Sequence, residues 1–250
     1  MPRVLTWGGA ALAALLLLLP SCAQAAGLDA LIATPNAQGG VAYTVPIQIL
    51  LFMTGLVFLP ALLLAGTSFT RIIIVLALLR QALGLTQTPP NQILIGLALY
   101  LTFFVMSPVM STVNQSALQP LLDNKISVTE AAERASDPLK SFMLKQTRQD
   151  DLGMFVKLGG GETYATAEDV PLRFVTPAFL TSELRAAFQI GFLIFLPFLV
   201  IDIVVAAVMM SLGMMLLSPV TVSLPLKLMV FVLVNGWVLV IGSLVQGFHA

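Results

Sequence analysis

The chain has 250 residues, of which 58% are hydrophobic and 10% charged, and its mean hydropathy is +0.97. Soluble domains run nearer to about 45–50% apolar and about 25% charged, so a soluble fold of this length is excluded, and lipid or other membrane subunits must cover the surplus apolar surface. Twelve basic residues balance twelve acidic ones, which leaves no net charge to recruit nucleic acid.

Arg3 precedes the apolar run Gly8–Leu19, followed by Pro20, Ser21 and Ala23-Gln24-Ala25. A basic start, a short apolar core and an A-x-A end predict a secretory signal over residues 1–25, cleaved between Ala25 and Ala26. Two other readings exist. Leu19-Pro20-Ser21-Cys22 is a poor match to a lipoprotein signal because of its proline. An uncleaved helix would be short for a span. Cys22 is the single cysteine, so no internal disulfide is available. His249, the only histidine, reads as a solvated tail residue rather than a ligand.

Residues 26–44 contain Pro, Asn, Gly and Gln without an apolar period and read as a flexible exported tail. Residues 45–113 form a first hydrophobic helical hairpin region. Within it Val45–Ala65 is a span candidate interrupted by Pro60, and residues 66–85 are apolar but carry Arg71 and Arg80. Pro89-Pro90 mark a turn, and Gln92–Val113 is a second span candidate interrupted by Pro108.

Residues 114–185 are a polar insert, since 10 of the 12 acidic residues lie between Asp123 and Glu183. Ser127 and Glu130 fit a capping box that opens a polar helix. Asp137 followed by Pro138 predicts the start of a second helix. Gly159-Gly160-Gly161 predicts a loop; no strand precedes it and no lysine follows closely, so it is not read as a phosphate loop. Residues 186–250 form a second hydrophobic hairpin region. Ala186–Leu217 is apolar and interrupted by Pro197 and Gly213, Ser218–Pro225 reads as a turn with two prolines, and Leu226–Val245 is the last span candidate. Helices broken at membrane depth need neighbouring protein or a water cavity to satisfy the freed backbone groups.

The basic residues set the orientation. With an exported N-terminus, Arg71 and Arg80 fall on the cytoplasmic side, the insert outside, and Lys227 near the cytoplasm again, giving four crossings. Arg71 and Arg80 are the candidate buried basic residues. They are nine residues apart and point to opposite sides of a continuous helix, so at least one faces protein or both snorkel to the headgroups. Asp202, in the longest apolar run, needs a partner, and Lys227 is the nearest base across the following turn. A turn at Gly213–Leu216 sets the two at equal distances from the tip and allows pairing within one hairpin. A turn at Ser218–Pro225 would require pairing between copies. Met209, Met210, Met214 and Met215 flank Gly213; such flexible side chains either fill gaps in a core or form a deformable apolar seal at a helix break. No catalytic residue, cofactor site or metal site is recognisable, so the chain is not read as an enzyme.

PAFLTSELRAAFQIGFLIFLPFLVID, from Pro177 to Asp202, resembles the signature of the FliP family of flagellar type III export-gate proteins, which is related to the injectisome SctR family. PALLLAGTSFTRIIIVLALLRQALG from Pro60, TPPNQIL from Thr88, LGMMLLSP from Leu212 and LPLKLMVFVLVNGW from Leu224 are similar to further segments of that family, in order. The resemblance implies an all-α chain of membrane-associated helical hairpins with broken helices, assembled into a helical ring around an export pore. It implies a homo-oligomer, by expectation a pentamer, with FliQ-like and FliR-like subunits. Other export-apparatus membrane proteins, rod proteins and exported flagellar substrates are the further implied partners. It places the chain in the bacterial inner membrane and flagellar basal body, with the polar insert on the periplasmic side. The family's methionine-rich gating loop maps onto Gly213, Met214 and Met215, with Leu216 where a third methionine is often seen. The family's intersubunit ion pair maps onto Asp202 and Lys227. The implied function is a core subunit of a gated pore for unfolded flagellar substrates; an ion-coupled membrane transporter subunit is the alternative.

Overall fold

A computed structural model describes residues 32–35, 41–44, 53–54, 57, 64–160, 164–214 and 218–249. The predicted cleavage site at Ala25 and Ala26, Cys22, Pro60 and Met215 lie outside the described residues. The chain divides into two compact units, Met1–Ala61 and Leu62–Ala250.

In the first unit, β1 (Ile32–Pro35) pairs antiparallel with β2 (Val41–Thr44), Ile32 opposite Thr44 and Pro35 opposite Val41. A tail without secondary structure was expected here. Ile32, Thr34, Val41, Tyr43 and Thr44 are strand-favouring residues in runs too short to show a period, and Asn36 and Gly39-Gly40 are turn formers between them.

Among the described residues the second unit is entirely helical and irregular, in accord with the all-α expectation. Its elements are α1 (Phe69–Ala82), α2 (Asn91–Val113), α3 (Val128–Gln146), α4 (Gln149–Leu158), α5 (Leu172–Ser211), α6 (Pro219–Leu233) and α7 (Gly236–His249). α2 continues through a π-helical turn at Asn114–Leu118 and a last α turn at Gln119–Leu122, so one rod covers Asn91–Leu122. Two helices, Asn91–Leu122 and Leu172–Ser211, are long and apolar enough to cross a membrane. The α6–α7 pair, bent by 64°, would make a third if it counts as one span. Most of the first expected crossing, Val45–Ala65, is not described.

α1 is the central element. Ile72 and Leu76 enter one apolar cluster with Leu94, Ala98, Phe142 and Phe179, while Val75, Leu79 and Ala82 enter a second with Ala187, Phe198, Phe231 and Leu244. A helix buried on both sides reads as uniformly apolar, which is the pattern of Ile72–Leu79. α5 is organised by one stripe. Phe174, Ala178, Ser182, Ala187, Gly191, Phe198, Val205 and Met209 are buried along 40 residues, a rod about 60 Å long. Its first half is packed under α3 and α4. Its second half keeps Phe192, Leu196, Val200 and Ile203 outward, a lipid- or subunit-facing apolar surface.

α1 and α5 run in the same direction. Arg71 meets Glu183, and seven residues further along α1 the side chain of Leu78 fills the space a side chain on Gly191 would need, 2.2 Å from where its Cβ would sit. A side chain on Gly191 would have to displace Leu78, so glycine favours the close packing of the two helices here.

Several sequence boundaries are corrected. Pro108 and Pro197 do not interrupt their helices; each removes one hydrogen bond, which the flanking ladder and packed neighbours tolerate. The polar insert does not begin at residue 114 or end at 185 as structure, since α2 runs on to Leu122 and α5 already starts at Leu172. Ser127 accepts from the Glu130 amide as expected, at 3.2 Å, but the helix it opens runs unbroken through Asp137 and Pro138. Burial of Ala131, Phe142 and Met143 on one stripe outweighs the local stop signal. Ser218–Pro225 is not a turn but the start of α6, with Pro219 in its first turn and Pro225 within it. The last span candidate is broken at Val234–Asn235, where Asn235 has φ +51°, before Gly236 restarts the helix.

Candidate functional site: two buried ion pairs and an apolar tip on one helix

The second hairpin turns directly after Ser211. The amide of Gly213 donates to the Met210 carbonyl (3.1 Å) and the amide of Met214 to the Met209 carbonyl (3.0 Å). This crossed pair is a Schellman cap, and it requires a left-handed residue at Gly213, whose φ is +74°. Nothing lies within 4 Å of where a Cβ would stand on Gly213, so the backbone and not crowding sets the requirement. Gly213→Ala is expected to destabilise the tip by about 1 kcal/mol, read as a lowered midpoint for protease nicking at residues 212–218 with the rest of the chain unchanged.

The cap separates the methionines. Met209 is buried at 5% exposure and belongs to the packed stripe of α5. Met210 at 61%, Leu212 at 68% and Met214 at 43% stand outward. Three large flexible apolar side chains therefore project from the tip, and one methionine is filler.

With the turn between Leu212 and Ser218, Asp202 and Lys227 stand side by side. Lys227 Nζ donates to Asp202 Oδ2 at 2.6 Å, Ser223 Oγ donates to Asp202 Oδ1 at 2.6 Å, and Lys227 Nζ donates also to the Ala82 carbonyl at 3.2 Å. Lys227 thus fastens α6 to α5 and to the C-terminal end of α1 together. The resemblance implied a pair between subunits; here it closes within one chain, because the turn falls at the glycine and not at the prolines. The Lys227 side chain is 5% exposed and that of Asp202 33%.

Arg71 is the second buried cation. Its Nε donates to Glu183 Oε2 at 2.9 Å and Nη2 donates to Glu183 Oε1, a bidentate pair in which Glu183 is wholly buried. Nη2 also donates to Gln146 Oε1 (3.0 Å) and Nη1 to the Gly247 carbonyl (3.3 Å), and the guanidinium carbon lies 3.9 Å from the centroid of the Phe248 ring. This places Arg71 against α3, inside the polar insert. Arg71 and Arg80 occupy opposite ends of α1, and Arg71 is spent on buried partners rather than on a membrane surface.

Arg80 is half-buried, not buried. Its Nη1 donates to the Pro89 carbonyl (3.2 Å) and to Asn91 Oδ1 (2.7 Å), so it ties down the loop that joins α1 to α2. A 180° separation from Arg71 put one arginine in the core and the other at the loop.

Three buried polar groups were missed in the sequence. Glu183 was counted with the insert, yet it lies on the buried stripe between Ala178 and Ala187, which a helix begun ten residues earlier would have shown. Ser223 was assigned to a turn. Asp151 is buried and accepts from Ser182 Oγ (2.7 Å) and Arg185 Nη2 (3.2 Å), holding α4 on α5. Among the described residues no three His, Cys, Asp or Glu side chains converge as a metal site would need.

Comparison with known proteins places this arrangement. The family model described as the FliP family matches residues 51–244. The chain is 53% identical over 225 residues to the flagellar biosynthetic protein FliP of Pectobacterium carotovorum subsp. carotovorum, covering 90% of this chain and 87% of that protein. It is 54% identical over 246 residues to the protein of the same name from Cereibacter sphaeroides, covering 98% and 81%. With the protein of that name from Bacillus subtilis (strain 168) it shares 52% identity over 202 residues, covering 81% and 91%.

Proposed function

Because the chain belongs to the FliP family, we propose that it is a core subunit of the flagellar protein export apparatus, forming with its neighbours a gated conduit for unfolded flagellar substrates. The tip of the α5–α6 hairpin carries this reading. A conduit for unfolded chains must exclude water and ions when idle and yield when a chain enters. A ring of flexible apolar side chains does both. Met210, in the last turn of α5, and Met214, just beyond it, project at such a tip on either side of Gly213, whose left-handed conformation ends the helix, and Met215 follows in the sequence. The outward apolar faces of α2 and α5 supply surface for a homo-oligomer and for FliQ-like and FliR-like subunits in the inner membrane at the basal body. The α3–α4 unit is the part assigned to the periplasmic side. No catalytic step is part of this role.

A transporter subunit would need its ionisable groups to form a relay. Asp202 is held by Ser223 and Lys227, and Glu183 by Arg71. The two acids are 19 residues apart on α5, about 28 Å along its axis, with the apolar run from Ala186 to Ile201 between them. That separation gives the relay no support.

Replacing Met214 and Met215 together by alanine tests the conduit. The assembled complex is expected at normal yield, with dye or small-ion permeability of the membrane raised by roughly an order of magnitude. Normal permeability in a fully assembled variant removes these methionines as the principal seal. Reduced assembly without leak identifies them as packing.

A further inference from the structure

α7 is attached to two different cores. Val240 and Leu244 are buried in the cluster that holds Phe231 and Phe198, whereas Phe248, one turn further on, is buried in the cluster that holds Phe142 of α3. The hold on this last turn is specific. Arg71 Nη1 donates to the Gly247 carbonyl and Gln146 Nε2 donates to the Phe248 carbonyl, each at 3.3 Å. The Phe248 ring lies under the Arg71 guanidinium and stacks on Phe142 with centroids 6.3 Å apart and planes 23° apart. The two bonded carbonyls belong to the set that every helix C-terminus leaves without an intrahelical partner, so the cap uses no bond taken from the helix itself.

We propose that the last turn of α7 is a releasable latch that ties the polar α3–α4 unit to the second hairpin. Release leaves no buried charge alone, since Arg71 keeps both bonds to Glu183 and its bond to Gln146. The freed carbonyls at Gly247 and Phe248 are terminal and can be hydrated. The helix upstream stays anchored by Val240 and Leu244. Peeling therefore costs the burial of Phe248 and Val245 in the first cluster, one aromatic stack, one cation–π contact and two hydrogen bonds to side chains, and it spares both ion pairs. With the latch open, α3 can shift relative to α6 and α7 while α1 and α5 stay clipped together. A rearrangement of the polar unit would then pass by way of α7 to α6 only while the latch is closed.

Amide hydrogen exchange on the full chain in detergent tests this. In the wild type, residues 245–249 are expected to exchange roughly tenfold or more faster than residues 240–244, because the last turn opens by itself. Phe248→Ala is expected to raise exchange over residues 139–146 of α3 by a similar factor and to leave residues 187–200 of α5 unchanged. Exchange of 240–249 as one unit in the wild type overturns the proposal. So does an unchanged α3, or a rise in α5 equal to that in α3, in the variant. The wild-type measurement stands even if the variant does not fold.

Discussion

Glu183→Ala is expected to lower the stability of the folded chain by about 3–5 kcal/mol, the cost of leaving a buried cation without its partner. Arg71 is 6% exposed and Glu183 0%, so water cannot take over the lost bonds. Gln146 and the Gly247 carbonyl remain as acceptors but carry no charge. The expected readout is a sharp fall in membrane-inserted, protease-resistant protein and a lower midpoint of thermal unfolding in detergent. Glu183→Gln is expected to fall between, since an amide still accepts one bond. The double variant Arg71→Met with Glu183→Leu separates charge from shape. Removing both partners of a buried pair and filling the volume is often neutral or better, so its stability is expected within about 1–2 kcal/mol of the wild type, the remainder being the lost cap on α7. A double variant as unstable as Glu183→Ala would show that the pair's geometry, not the isolated charge, holds the fold.

The pair between Asp202 and Lys227 is expected to respond unequally to removal of its two members. Asp202→Ala strands Lys227, whose side chain is 5% exposed, with the Ala82 carbonyl as its remaining acceptor, at a cost again of about 3–5 kcal/mol. Lys227→Ala strands a carboxylate that is 33% exposed and still bonded to Ser223. Water or a neighbouring polar group can reach it, and the cost is expected at about half of that or less. The exchange of the two residues restores the charge pair but moves the long side chain to α5, away from the Ala82 carbonyl, so only partial recovery is expected. Equal losses in the two single variants would show that Asp202 is as enclosed as Lys227, as it would be if a second copy covered its open edge. Comparing isolated chains with assembled complexes distinguishes these cases: in the first the losses differ, and in the second they converge if the neighbour seals the site.

Much of this was legible from residue types alone. The apolar excess, the polar insert, the glycine at the tip and the acid–base couple at 202 and 227 follow from the cost of burying polar groups and from helix-ending chemistry. The proline rule was the weak one. Pro108 and Pro197 were read as breaks, yet a helix supported on several sides keeps its course when one hydrogen bond is missing. The true break, at Val234–Asn235, turns on Asn235, a residue type that tolerates left-handed backbone, and a run of leucines and valines around it hid the signal. Glu183 was illegible for another reason. Its partner is 112 residues away, and the polar residues around it in sequence, Ser182 and Arg185, gave it the look of a surface position. Which of two arginines on opposite sides of a helix goes inward depends on the elements packed against each side, and no local pattern records that.

The continuity of α5 has a mechanical consequence. From Glu183 to Ser211 the helix has no break, a length of about 42 Å. An unbroken helix behaves as a stiff lever arm over that distance, and its fulcrum is the Arg71 clamp. A tilt of about 5° at the clamp would carry the methionine-bearing tip sideways by about 4 Å, the width of a methyl group. Small angular slack where the polar unit grips the rod therefore becomes sideways travel of several ångströms at the other end. In the conduit proposed above, the precision of the opening would be set not at the tip but at buried Glu183, about eight turns back along the same helix.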